Sequence, residues 1–241
     1  MSAKPFHFKQ FIIHQDKCAM KVGTDGVLLG AWAPTESATT ILDIGTGTGV
    51  IAIMQAQRNN VANIVGIEID KGAAHQATFN CSECNWSNRL NILNISLQDF
   101  AKTYSNKFDH IICNPPFYPN EHFTKAGGTN ERVMARNSDT LNYEDLMKCA
   151  RQLLQEAGEL SIVVPVSVEQ QVIEYAFHNK LYLAKRTYVQ PLINKKALRA
   201  LLNFSTSKVD LIENSITIQK GKRNEFTDEY IELTKAFYTI L

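Results

Sequence analysis

No apolar run approaches the roughly eighteen residues from which a membrane-crossing helix is built, and residues 1–10 hold no long apolar stretch of the kind a secretory signal carries. The expectation is a cytoplasmic protein without a membrane anchor. Cysteine is scarce and odd in number, five in 241 residues, which argues against a disulfide framework. Cys81 and Cys84 form a CxxC pair, but no second ligand pair stands at zinc spacing. The pair falls within a helical stretch and reads as structural, with no metal. Net charge is also nearly absent. A formal +1 does not announce a nucleic-acid partner. Local charge is less even: Lys180 to Arg223 holds ten basic residues against Asp210 and Glu213. Both a phosphate-facing surface and an ordinary solvated face fit that excess.

The chain is long enough to bury a core unaided. Phe6 to His14 reads as short edge strands, and Thr24 or Asp25 opens a helix that runs to Trp32. Strands then alternate with helices: Thr40 to Ile44, Asn63 to Ile69, Leu90 to Ser96, Phe108 to Cys113 and Gly158 to Pro165 are strands, and Val50 to Arg58, Gly72 to Cys84, Tyr143 to Leu154 and Val168 to Asn179 are helices. That alternation implies βαβ units, an α/β fold and a largely parallel sheet with both faces covered. The tail differs. Leu183 to Val189, Ala197 to Phe204 and Ser215 to Ile218 are strands with no helix between them, which suggests an antiparallel end to the sheet. No repeat or low-complexity linker divides the chain. The expectation is one domain over 1–241, with residues 1–35 as an N-terminal extension. The irregular stretch from Phe117 to Thr140 is too long for a plain connection and suits a substrate loop.

Two segments carry chemistry. Asp43-Ile44-Gly45-Thr46-Gly47-Thr48-Gly49 follows a strand and opens a helix. Its glycines permit a tight turn and a close approach of backbone to ligand. The spacing is G-x-G-x-G, not the G-x-G-x-x-G of dinucleotide binders, so a nicotinamide-dependent oxidoreductase is a competing reading without its fingerprint. Glu68 ends the next strand, nineteen residues past Gly49. A carboxylate there can accept hydrogen bonds from both hydroxyls of a ribose. Together they indicate a cofactor containing a nucleoside.

The second segment is Ile111-Ile112-Cys113-Asn114-Pro115-Pro116-Phe117. Two prolines cannot continue a strand, so the chain leaves the sheet at a rigid turn. An exocyclic amine on an aromatic ring is a poor nucleophile, because its lone pair is delocalised. The Asn114 side-chain oxygen and the Pro115 carbonyl can accept its two N–H groups and favour a pyramidal nitrogen aimed at a methyl donor. Phe117 can stack on the planar acceptor, and a base treated this way must be out of its stack. The plain alternative is a rigid strand-to-loop turn. Such a turn also serves adenine N6, guanine N2 in rRNA and the amide nitrogen of a protein glutamine alike. A non-catalytic scaffold that activates a partner enzyme is a further reading, and an intact Asn114 turn argues against it.

With these motifs in this order, the sequence resembles the Rossmann-like S-adenosylmethionine-dependent methyltransferases. The resemblance implies a seven-stranded, mostly parallel sheet with an antiparallel C-terminal end, and S-adenosylmethionine as cofactor. It places Asp43, Gly45, Gly47 and Gly49 against the methionine part, Glu68 on the ribose, Asp99 on the adenine and Asn114 beside the methyl group. Phe8 to Phe11, Ala19 to Trp32, Asn114 to Tyr118 and Ala135-Arg136 with Leu141 further resemble the bacterial tRNA1(Val) adenine-37 N6-methyltransferases. That likeness implies a monomer acting on tRNA beside the anticodon, with Gly23 and Asp25 near the cofactor. Where that family has His after Arg136, this chain has Asn137. Charge and aromaticity nominate Phe117, Tyr118, Lys125, Arg132, Arg136, Lys195, Lys196 and Arg199 as contacts to the RNA.

Overall fold

The computed structural model describes residues 4–116, 141–221 and 224–239. At its centre stands a sheet of eight strands. These are β3 (Thr40–Ile44), β4 (Asn63–Glu68), β5 (Leu90–Asn94), β6 (Phe108–Cys113), β7 (Leu154–Pro165), β8 (Tyr182–Leu192), β9 (Arg199–Ser205) and β10 (Ile212–Gln219). A separate antiparallel pair, β1 (Phe6–His7) and β2 (Ile12–Ile13), precedes them. The order across the main sheet is β10-β8-β9-β7-β6-β3-β4-β5.

The mostly parallel α/β arrangement matches the expectation, with one strand more than seven. The antiparallel character narrows to a single strand. β9 runs against both β7 and β8, whereas β10 joins the far edge parallel to β8.

Each central strand alternates its side chains between two cores. Ile41, Ile112, Val163 and Leu201 enter one, together with the helices α1 (Thr24–Trp32) and α2 (Val50–Arg58). Leu42, Ile111, Ile162 and Leu202 enter the other, with α4 (Leu97–Thr103), α5 (Tyr143–Leu153) and α6 (Glu169–His178). The period of two sends neighbours to opposite faces. Full burial of each such side chain contributes roughly 1.5–3 kcal/mol, so the alternation itself commits the sheet to two helical layers. α3 (Lys71–Ser82) completes the helices of the first half. α1 and α2 pack closely: a Cβ on Gly30 would stand 2.8 Å from the Met54 sulfur.

Sequence patterning misses α4 and the terminal α7 (Asp228–Thr234). Each has only seven residues, too few to show a helical period. Among the described residues, no helix is long and apolar enough to cross a membrane.

Candidate active site

β3, β4 and β6 lie side by side, and their carboxyl ends release three loops along one edge of the sheet. The chain leaves β3 toward β4 on one side and later returns as β6 on the other. A crevice opens where a sheet reverses its strand order in this way. Here it forms a cavity of about 780 Å³, lined by Gly23, Gly45, Gly47, Glu68, Asp99 and Asn114 among others. That volume suits a small-molecule ligand.

The three glycines of the first loop have different tasks. All have positive φ, 65° at Gly45, 55° at Gly47 and 82° at Gly49. A Cβ on Gly45 would meet nothing within 4 Å, so backbone is exposed to the cavity there. A Cβ on Gly49 would lie 3.4 Å from Ala77 and Cys81. Gly49 serves the packing of α2 against α3 and stands outside the cavity wall.

Asp43 also stands outside the cavity wall. It is fully buried under the loop, where Oδ2 accepts the Thr46 hydroxyl at 2.6 Å and the Ala52 N–H at 3.1 Å. It braces the loop from below and is absent from the cavity wall. Its Oδ1 is buried without a partner. Burial outweighs the two hydrogen bonds and pushes its pKa up to about 7.

Glu68 ties β4 to the loop. One carboxylate oxygen accepts the Gly47 N–H at 2.9 Å and the other accepts the Asp70 N–H at 3.0 Å. Each oxygen keeps a second lone pair toward a ligand. Asp99 lines the cavity from the first turn of α4, which Ser96 caps. Ser96 accepts its N–H at 3.1 Å, and its carboxylate receives the Ser96 hydroxyl at 2.9 Å and the Lys102 ammonium at 3.0 Å. The Lys102 and Ser96 hydrogen bonds hold Asp99 below the usual carboxylate range.

Asn114, Pro115 and Pro116 form the opposite wall. The Asn114 Oδ1 is one of four buried side-chain polar atoms without a hydrogen-bond partner among the described residues. Its amide nitrogen stands 3.5 Å from where a Cβ on Gly26 would be, so the start of α1 leans on the turn. Phe117, Tyr118, Lys125, Arg132, Arg136 and Asn137 lie outside the described residues.

Gly23 lines the cavity and Asp25 does not. Asp25 instead pairs with Arg199, Nε to Oδ2 at 2.8 Å. Residues 23 and 26 share one helix face, whereas residue 25 is rotated away from it. Lys195 and Lys196 are exposed between β8 and β9. Other basic residues of the tail have partners within the fold. Lys185 lies 4.6 Å from the Trp32 ring centroid, Arg186 joins Glu169 and Glu213, and Lys220 meets Asp228.

Cys81 and Cys84 are buried, and the Cys84 thiol donates to the Cys81 carbonyl at 3.2 Å. Burial pushes both thiols up, which suits a structural pair.

Sequence reading misses three parts of the cavity wall. The segment from Cys18 to Val22 closes one side. Ahead of it, Asn80 on α3 ties His14 to the glycine loop: the His14 N–H donates to Asn80 Oδ1 at 3.0 Å, and the Asn80 amide donates to the carbonyls of His14 and Thr48, both at 2.8 Å. Ile69 is 58% exposed at the rim, and an apolar residue directly after a strand-terminal acid is the signal that marks it. Asp145 joins from α5, remote in sequence and without any motif.

Comparison with known proteins gives the chain's family and fold. The model of the methyltransferase small domain matches residues 21–189. A tRNA1(Val) (adenine(37)-N6)-methyltransferase of Flavobacterium psychrophilum is 43% identical over 234 residues, which span 97% of this chain and 98% of that protein. One from Christiangramia forsetii is 40% identical, with 99% of each chain covered. The crystal structure of a predicted O-methyltransferase from Agrobacterium tumefaciens superposes with a TM-score of 0.71, covering 88% of this chain and 96% of that one. At 18% identity, that likeness concerns the fold alone.

Proposed function

The chain belongs to the tRNA1(Val) (adenine(37)-N6)-methyltransferases, and from that premise we propose that it transfers a methyl group from S-adenosylmethionine to the exocyclic N6 of a tRNA adenine beside the anticodon. The observation that carries this reading is the buried, unpartnered Oδ1 of Asn114 at the cavity wall. A buried acceptor without a partner costs about 1–3 kcal/mol. A substrate N–H recovers that cost when it binds.

The cavity fits S-adenosylmethionine in size and in its donor set. Open backbone at Gly45 and Gly47 suits the methionine part, and the Glu68 carboxylate suits the ribose hydroxyls. Met20 and Ile69, 55% and 58% exposed, offer apolar cover to a planar adenine, and Asp99 stands near to accept its amine. Once bound, S-adenosylmethionine supplies a methyl group on a positively charged sulfur.

The remaining work falls to the chain. Asn114 Oδ1 accepts one N–H of the target amine and the Pro115 carbonyl the other. The two bonds would hold the nitrogen pyramidal and leave its lone pair free for attack. In-line placement matters more than basicity here, and the rigid Asn-Pro-Pro turn fixes both acceptors before the substrate arrives. Phe117, outside the described residues, is the sequence's candidate for stacking on the flipped base.

Labelled S-adenosylmethionine supplied separately with total tRNA, rRNA and release factor tests the assignment. Label recovered as N6-methyladenosine in tRNA is the expected result. Label confined to rRNA guanine or to protein would overturn it.

A further inference from the structure

A second cavity, of about 500 Å³, lies across the first turn of α1 from the active site. Helix geometry makes the partition. Gly23 and Gly26 border the active-site cavity, while Thr24 and Asp25 border this one. A helix is only about 10 Å across, a span that neighbouring nucleotides of one strand can bridge.

Four aromatic residues line this cavity together with Val189, Pro191, Leu198 and Ile218. Phe226 and Tyr230 stack with ring centroids 5.1 Å apart, Tyr238 follows Tyr230 at 6.4 Å, and Phe6 meets Tyr238 edge-on at 6.1 Å. These rings come from both ends of the chain and meet only in the folded protein. Polar residues accompany them: the Asp25–Arg199 ion pair and Gln219. A purely apolar ligand would have no use for that polar edge, whereas a nucleobase has both a ring face and hydrogen-bonding edges. Arg199 opens β9 at the point where it pairs with Pro165, the last residue of β7, so it stands at the same strand edge as the active site. The adjoining connection from β8 to β9 carries the exposed cations Lys195 and Lys196.

We propose that this cavity is a nucleobase subsite. It takes the unstacked base of a nucleotide flanking the methylated adenine, with the ring against Phe226, which Tyr230 backs from the core, and the polar edge on Gln219 and the Asp25–Arg199 pair. Lys195 and Lys196 meet the adjoining phosphates. The two cavities then hold two bases of one strand, one on each side of α1, and an RNA whose neighbouring base cannot unstack is a poor substrate. This inference rests on the tRNA reading above.

The test uses the full-length protein and two forms of the tRNA transcript, one intact and one abasic at the nucleotides on either side of the target. Phe226→Leu keeps apolar bulk and removes the stacking ring. Ile218→Trp fills the cavity from β10 and serves independently if the first variant melts early. On intact tRNA each is expected to raise KM for RNA about tenfold, the scale of one base stack, with KM for S-adenosylmethionine unchanged. On the abasic transcript neither should add a further loss. Unchanged KM for RNA in both folded variants, or equal losses on the two transcripts, overturns the subsite and leaves the tRNA reading intact. A wild-type protein that methylates neither transcript overturns both.

Discussion

At the carboxyl ends of β3 and β6, two buried oxygens, Asp43 Oδ1 and Asn114 Oδ1, have no partner. Across β6, β7 and β9 the buried polar groups close on one another instead. His110 Nε2 and the Ser161 hydroxyl are 2.9 Å apart, and the Asn203 amide donates to Ser161 Oγ and Glu159 Oε2, both at 3.1 Å. Nearby, the Trp32 indole N–H donates to the Thr187 hydroxyl at 2.8 Å, and that hydroxyl donates to Asn214. Burial keeps His110 neutral, with its pKa pulled down to about 3. The satisfied network pins the pairing of strands in a sheet that is otherwise apolar and could slip. The unsatisfied oxygens do the opposite: each is left with an unmet hydrogen bond, Asn114 at the cavity wall and Asp43 beneath the glycine loop. A polar residue in a buried strand is therefore ambiguous in sequence, and its partners in space decide what it does.

The largest expected effect tests the reactive side. Asn114→Ala should lower kcat by about 10²–10³-fold, the usual loss when one aligned transition-state hydrogen bond is removed. Calorimetry should find its affinity for S-adenosylmethionine unchanged. An active variant would make Asn114 part of the packing and erase the contrast.

Asp43 comes next. An exposed aspartate titrates near 3.8, while Asp43 in the fold titrates near 7 because it is buried. Between those values the folded protein holds a proton that the unfolded chain has lost. Its contribution therefore lowers stability as pH rises from about 4 to about 7, by on the order of 4 kcal/mol, and levels off above that. Asp43→Asn removes this titration. Urea melts across the same window should show a flatter decline than wild type, and parallel curves would place Asp43 in a wetter site than its burial implies.

On the satisfied side, Ser161→Ala takes a partner from both His110 and Asn203. It should cost about 1–3 kcal/mol of stability and leave kcat where it was. A drop in kcat at constant substrate affinity would join the network to the chemistry. The smallest effect concerns the exposed connection between β8 and β9. Lys195→Glu with Lys196→Glu should weaken tRNA binding and flatten the slope of log affinity against log salt by about 1.4, near 0.7 for each lost phosphate contact. An unchanged slope would remove this connection from the RNA surface.

Most of the parallel half is legible in the sequence, because each cue is local. Strand runs such as Ile41-Leu42 and Ile111-Ile112 bury both faces, and glycines with positive φ mark the loop. The site is legible in part. Glu68, Gly45, Gly47 and Asn114 announce themselves by position at strand ends and share one cavity. Asp43 and Gly49 belong to the same motif yet support it from outside the cavity. The motif records proximity in the chain, not which way each group faces. Asp145 and the Cys18–Val22 wall carry no motif, since elements far apart in sequence bring them there.

The sequence by itself determined the alternating architecture and the two loops that carry the chemistry. Both depend on periodicity and on residues that constrain their own backbone, glycine through positive φ and proline through its ring. Tertiary structure alone decided that β10 joins parallel to β8, that Asp25 meets Arg199 across 174 residues, and that Phe6, Phe226 and Tyr238 share one wall. Those outcomes depend on which surfaces are left to bury once the central sheet has formed. That is a property of the whole packing and not of any local pattern.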